Sequence, residues 1–150
     1  MNAEHINPFI QGSQRVIETI CGARPGLGKI FMKKSPGNVQ PATVSISIIG
    51  AVQGFAVYSM NLESGFYIVS KMMGGMPITE LDPMAQSALC ELANIVSGNV
   101  ATAFSQKGIL VDITPPEFFG TSYPPLTSSA VCIPLLLEGG KMVEVDVCVA

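Results

Sequence analysis

Two pairs of strand-like runs, one before and one after a long helical pattern, constrain this chain more than any other feature. The run Thr43-Val44-Ser45-Ile46-Ser47-Ile48-Ile49 alternates small polar with branched apolar residues, the period-two pattern of a half-buried strand, and Gly54 to Met60 follows at hairpin distance. Ala130 to Leu137 and Met142 to Val149 form the second pair, joined by a turn at Glu138-Gly139-Gly140-Lys141. A further run, Ile109 to Ile113, precedes it. Short turns impose antiparallel pairing. The spacing therefore predicts an α+β domain, a largely antiparallel sheet packed with helices, and excludes a doubly wound nucleotide-binding fold.

Three helices complete the pattern. Ile6, Phe9, Ile10, Val16, Ile17 and Ile20 recur at helical spacing until Gly22, Pro25 and Gly26 stop them. Leu62 to Met73 turns helical and ends at Gly74-Gly75, a pair suited to the left-handed conformation that terminates helices. The longest helix runs from Leu81 to Gln106, with Thr79 or Asp82 as its cap and Pro83 in its first turn. Between Pro115 and Pro125, four prolines alternate with Phe118, Phe119 and Tyr123, which reads as an ordered crossover rather than a flexible linker. Residues 1–150 are thus read as one domain.

Composition removes several classes of function. The net charge is −3, and basic residues are scattered singly apart from Lys33-Lys34, so no basic face is available for a nucleic acid. The amino terminus lacks a positive segment followed by an apolar run, and no apolar stretch reaches membrane-spanning length; the chain is read as cytoplasmic, with no membrane partner. Cys21, Cys90, Cys132 and Cys148 lie too far apart for the close pairs of zinc or redox motifs and read as small buried apolar residues. The single histidine, His5, offers little scope for a Cys-His or Ser-His nucleophile. No metal ligand set and no cofactor site is visible. Charged residues are only 13% of the chain, a surface poor enough in charge to suggest that another subunit covers part of it.

The chemistry falls on the long helix. At about 100° per residue, Ser87, Glu91, Asn94 and Gly98 fall in one narrow stripe, with Leu89, Leu92, Val96 and Val100 on the opposite side. A carboxylate and a carboxamide one turn apart, rigidly mounted beside the small residues Ser87 and Gly98, suit insertion into a partner's cleft. By spacing alone the same stripe also fits an ordinary solvated helix face. Met72, Met73 and Met76, together with Phe118, Phe119 and Tyr123, suit either core filling or partner contact, and spacing does not choose between them.

At these residues the sequence resembles the CheC/CheX chemotaxis phosphatases, most closely the single-site CheX branch. The family's pattern is met by Ser87, Glu91 and Asn94, followed some twenty residues later by Pro115 or Pro116. The helix core Ser87-Ala88-Leu89-Cys90-Glu91-Leu92-Ala93-Asn94 fits as well. So do the flanks Val69-Ser70-Lys71-Met72-Met73-Gly74-Gly75-Met76 and Val111-Asp112-Ile113-Thr114-Pro115-Pro116. The resemblance spans nearly the whole chain.

The resemblance implies an enzyme that removes the phosphoryl group from the aspartyl phosphate of a CheY-like response regulator. It assigns Asn94 to orienting the attacking water and Glu91 to docking against a lysine of the regulator. Ser87 is a supporting candidate, while Pro115 and Pro116 shape the crossover beneath the site. Any Mg²⁺ belongs to the regulator. The resemblance also implies a homodimer joined through sheet edges. Independently, Thr43 to Ile49 and Ala130 to Leu137 lack lysine and, except for Pro134, interior proline, so an exposed edge there would be unprotected against pairing. The repeat of the spacing at Glu4-His5-Ile6-Asn7 reads as accidental, because Asn7-Pro8 suits a helix start. The competing readings are a module that binds a response regulator without hydrolysis and a structural dimer domain of the same fold.

Overall fold

Alternation along the strands decides how the layers form. A computed structural model describes residues 3–33, 40–122 and 129–150. In chain order the elements are α1 (Ala3–Cys21), β1 (Gly26–Leu27), β2 (Phe31–Lys33), β3 (Ala42–Gly50), β4 (Gly54–Met60), α2 (Leu62–Met72) and α3 (Pro83–Gln106). β5 (Val111–Ile113), β6 (Glu117–Phe118), β7 (Ala130–Leu136) and β8 (Met142–Val149) follow. All strands belong to one antiparallel sheet of order β1-β7-β8-β4-β3-β5, with β2 also paired to β7 and β6 to β3.

Cross-strand register carries one face of this sheet into the core. Val44 and Ile46 of β3 sit opposite Tyr58 and Ala56 of β4, which in turn oppose Val145 and Val147 of β8. Ile133 and Val131 of β7 continue the same rows. These side chains are buried with Leu89, Leu92, Val96 and Val100 of α3 and with Phe9 and Ile17 of α1. Helices α1 and α3 pack on one another, α3 lies on β3, β5 and β6, and α1 reaches β7 and β8. The β3–β4 turn requires a glycine: Gly54 has φ +154°, and a Cβ there would meet the Cys148 carbonyl oxygen at 1.9 Å.

One polar contact pins the roll of α3 over the sheet. The fully buried Tyr58 hydroxyl lies 2.8 Å from the Ser97 hydroxyl. Burial pushes the Tyr58 phenol up from its ordinary value, so it remains a neutral hydrogen-bonding group. Because Ser97 is one turn beyond Asn94, the contact fixes which face of the helix turns outward.

The fold class matches the expectation from the sequence, with specific departures. Helix α1 starts at Ala3, so Asn7-Pro8 does not open it; Pro8 is buried within its second turn. The α3 cap is Asp82 rather than Thr79: its Oδ1 accepts the Ala85 N–H at 2.8 Å. Helix α2 does end against Gly74-Gly75, where the Gly75 N–H donates to the Ser70 carbonyl at 2.8 Å. The two-residue and three-residue strands β1, β2 and β6 carry no periodicity and escape sequence reading. They matter, because β1 and β2 cover one side of β7, while β5 and β6 cover one side of β3. Neither strand suspected of offering an open edge therefore does so. Pro134 is tolerated inside β7 because its carbonyl still accepts the Gly28 N–H at 2.9 Å. The crossover runs ordered along β3 as far as Ser122, and Tyr123, Pro124 and Pro125 lie outside the described residues.

Candidate active site

The start of α3 is anchored twice. Asp82 caps it, and the Gln86 side-chain amide donates to the Leu81 carbonyl at 2.8 Å. Leu89, Leu92, Val96 and Val100 turn inward, each no more than 2% exposed, which leaves Ser87, Glu91 and Asn94 exposed on the opposite face. A Cβ built on Gly98 would meet nothing within 4 Å among the described residues, so its small size leaves room at the end of the stripe.

The stripe forms one wall of an open groove of about 690 Å³. Pro83, Gln86, Ser87, Cys90, Glu91 and Asn94 line it from α3, and Ile113 of β5, Phe118 of β6 and Thr114, Pro115 and Pro116 between them line it from the other side. That second wall is held to β3 at both ends. Thr114 exchanges two bonds with Ser47, its N–H donating to the carbonyl and its Oγ1 accepting the N–H, both at 3.0 Å. Beyond the prolines, the Phe119 N–H donates to the Thr43 carbonyl at 2.9 Å. Pro115 and Pro116 have no N–H to offer the ladder, so they span the gap without leaving a donor unsatisfied. All five residues singled out from the sequence, Ser87, Glu91, Asn94, Pro115 and Pro116, meet around this one groove. Glu4 and Asn7 sit exposed on α1 and are not among its lining residues.

Electrostatically the groove is simple. Glu91 brings the one charged side chain among its described lining residues, and burial raises the Cys90 thiol above its ordinary range, keeping it protonated. One carboxylate, the carboxamides of Asn94 and Gln86 and two hydroxyl groups can hold and orient water or a polar partner. They make no cage for a cation. Among the remaining candidates, Met72 and Met73 pack against the core, whereas Met76 is half exposed. Phe118 both packs on the core and lines the groove.

The matching family model is that of the chemotaxis phosphatase CheX, over residues 42–136, from β3 to the end of β7, so the whole groove lies inside the match. The chain belongs to the CheX family. It is 35% identical over 116 residues to the CheY-P phosphatase CheX of Thermotoga maritima, spanning 77% of this chain and 75% of that one. Solved structures share the fold over nearly full length. A CheC-like superfamily protein from Shewanella superposes with a TM-score of 0.88 at 21% identity, covering 100% of this chain and 99% of that one. CheX from Borrelia burgdorferi, solved as a CheX-CheY-BeF3-Mg complex, gives 0.80 at 24% identity, covering 97% of each chain. Among the described residues of this CheX-family chain, no helix is long and apolar enough to cross a membrane.

Sequence reading missed a second polar cluster, on the sheet face away from α3. Lys33 of β2 contacts Glu144 Oε2 at 2.6 Å and Asp146 Oδ2 at 3.2 Å, and Cys132 of β7 is the cross-strand partner of Asp146. Cys132 is fully buried, but its surroundings are charged rather than apolar, which corrects the reading of that cysteine. Burial and then the charge of Glu144 push the Asp146 carboxyl up, to about 7, against the pull of Lys33. Burial is also the largest influence on Glu144 and acts to raise it, but hydrogen bonds with Lys33, Asp146 and Cys132 and the charge of Lys33 together outweigh it, and Glu144 ends below its ordinary value. Burial first, and then the two carboxylates, drive the Cys132 thiol far above its ordinary range. The residues come from three strands, so no spacing rule gathers them. The available signal was Glu144 and Asp146 alternating with Val143, Val145 and Val147, two acids on the face opposite a core row.

Proposed function

We propose that this chain hydrolyses the aspartyl phosphate of a CheY-like response regulator, with α3 inserted so that Glu91 and Asn94 reach the phosphorylated site. The observation that carries this reading is the placement of a carboxylate and a carboxamide on one exposed face of a doubly anchored helix, along a groove with a single charge. The relatives support the substrate class: one is named for CheY-P dephosphorylation and another was solved with CheY.

The chemistry asked of the chain is modest. An acyl phosphate is already activated, and the regulator's own Mg²⁺ neutralises the phosphoryl oxygens, so placing water is the main requirement. Asn94 fits that role. Its carbonyl oxygen accepts a hydrogen from the water while its amide stays neutral, adding no repulsion as the water approaches in line. The bond between phosphorus and the aspartate oxygen breaks, yielding inorganic phosphate and a free carboxylate. Glu91 pairs with a lysine of the regulator and sets the depth of insertion. Ser87, one turn earlier, supports the same contact with a small hydroxyl, and Pro115 and Pro116 hold the facing wall. No cofactor of this chain takes part.

The test is the decay of a phosphorylated CheY-like receiver with and without the protein. Catalytic acceleration that disappears in Asn94→Ala supports the reading. A protein that binds the receiver without accelerating decay would instead be a recognition module.

The same reading includes a homodimer joined through the sheet, and the candidate edge moves to β1 and β2. Leu27, Ile30, Phe31 and Met32 are 38–53% exposed there, an apolar group beside short strands that lack a further neighbour in the described sheet. Pairing that edge with a second copy satisfies open backbone groups and closes the assembly with one site per subunit. Light scattering at micromolar concentration tests it, and a mass near 15.8 kDa rejects the dimer.

A further inference from the structure

The cluster on the back of the sheet holds more ligand chemistry than its salt bridges use. Cys132 and Asp146 face each other across β7 and β8, and Glu144 lies two residues along β8 on the same face. One ligand atom from each of the three lies within 4.8 Å of the others. Lys33 engages one oxygen of each carboxylate, Glu144 Oε2 and Asp146 Oδ2. The second oxygen of Asp146, Oδ1, is buried without a hydrogen-bond partner, on a residue only 3% exposed. A buried carboxylate oxygen in that state is available to a cation.

We propose that Cys132, Glu144 and Asp146 form a binding site for a divalent transition-metal ion of the zinc class, with a fourth position open to water. A thiolate beside two carboxylates favours zinc or cobalt over magnesium or calcium, which prefer all-oxygen shells. The three ligands stand on adjacent paired strands, so the sheet holds them near one another before the ion arrives. Charge closes as well. Two positive charges against a thiolate and two carboxylates leave one negative charge, and Lys33 cancels it while remaining on the outer oxygens as an orienting partner. Binding forms the metal–sulfur bond and releases the Cys132 thiol proton to solvent. Entry runs past the side chains of Lys33 and Glu144, which are 19% and 12% exposed. The site lies across the sheet from Glu91 and Asn94, so it ties β2, β7 and β8 together rather than taking part in phosphate release.

Cobalt(II) titration of the chelator-stripped full-length chain tests the proposal, with thiolate-to-cobalt charge-transfer absorption as the readout. The expected result is saturation at one equivalent, displacement by zinc, loss of the band in Cys132→Ser, and at least tenfold weaker binding in Asp146→Asn. Far-UV circular dichroism checks that each variant folds. If Cys132→Ser does not fold, Glu144→Gln takes its place, with the same weakening expected. Absence of the band at saturating cobalt overturns the site. So does a band that persists in folded Cys132→Ser, since Cys21, Cys90 or Cys148 would then supply the sulfur, or binding that Asp146→Asn and Glu144→Gln leave unchanged. Because the readout is metal binding, none of these outcomes depends on phosphatase activity.

Discussion

The hydroxyl pair Tyr58–Ser97 is where helix α3, with its exposed stripe, is keyed to the sheet, and the two ends of that pair should not be equivalent. Both groups are buried, at 1% exposure each, and 2.8 Å apart. In Tyr58→Phe the Ser97 hydroxyl keeps an alternative, since a helical serine can turn to the carbonyl one turn back, here that of Ala93. The expected cost is about 1 kcal/mol, the net value of an ordinary hydrogen bond. In Ser97→Ala the Tyr58 hydroxyl loses its bond while still shut away from water, which costs about 1–3 kcal/mol, offset by only a few tenths from the better helix propensity of alanine. Removing both groups leaves nothing unsatisfied, so the double variant should be more stable than Ser97→Ala. The coupling between the two sites should reach about 1–2 kcal/mol. Urea unfolding of the four proteins, with the dependence on denaturant held equal, measures this directly. If the two losses add to within about 0.5 kcal/mol, the hydroxyls are not coupled and the contact does not key the helix.

Other outcomes follow from the same structure. Glu91→Ala should weaken regulator binding as well as slow turnover, because a lost ion pair acts throughout the bound complex; unchanged affinity removes Glu91 from docking. Gly54→Ala should destabilise the fold by several kcal/mol, since a side chain there combines a forbidden backbone angle with a clash against the Cys148 carbonyl; a melting temperature within a few degrees of the parent would contradict that geometry. Calorimetry of the isolated chain should detect no specific Mg²⁺ binding, because the groove offers one carboxylate and the rear cluster includes a cysteine sulfur. The Asp146 carboxyl is raised in the folded state, so that state holds an extra proton between about pH 4 and 7 and the contribution of Asp146 falls as pH rises through that window. In metal-free protein, Asp146→Asn should therefore gain stability relative to the parent between pH 5 and 8, and parallel pH profiles in urea unfolding would refute this.

What sequence reading reaches and what it misses follow physical lines. The long strands and helices announce themselves because each has one buried face, and burial imposes a period: Val44, Ile46 and Ile48 on a strand, Leu89, Leu92 and Val96 on a helix. The groove was legible for a different reason. Glu91 and Asn94 share a face by helical arithmetic, and Pro115-Pro116 follows a short strand that must return to the sheet beside that helix. Strands β1, β2 and β6 were not legible, being too short to show a period and existing only through their partners. The misjudged edges follow from that omission. The rear cluster was hidden more deeply, since Lys33 meets Glu144 at a separation of 111 residues and nothing local to either marks the other.

These two polar regions obey opposite rules, and the difference separates their roles. On α3 the polar groups face outward, a single charge stands among neutral amides and hydroxyls, and a Cβ at Gly98 would still meet open space. Such a surface costs little to leave hydrated and little to desolvate against a partner, which suits repeated docking. Behind the sheet, Asp146 and Cys132 are withdrawn from water and concentrated against one lysine, with one carboxylate oxygen unmatched. That arrangement is costly for a protein to keep empty. If the helix docks a regulator and the rear cluster holds an ion, as proposed, events at one need not disturb the other, because a packed core lies between them.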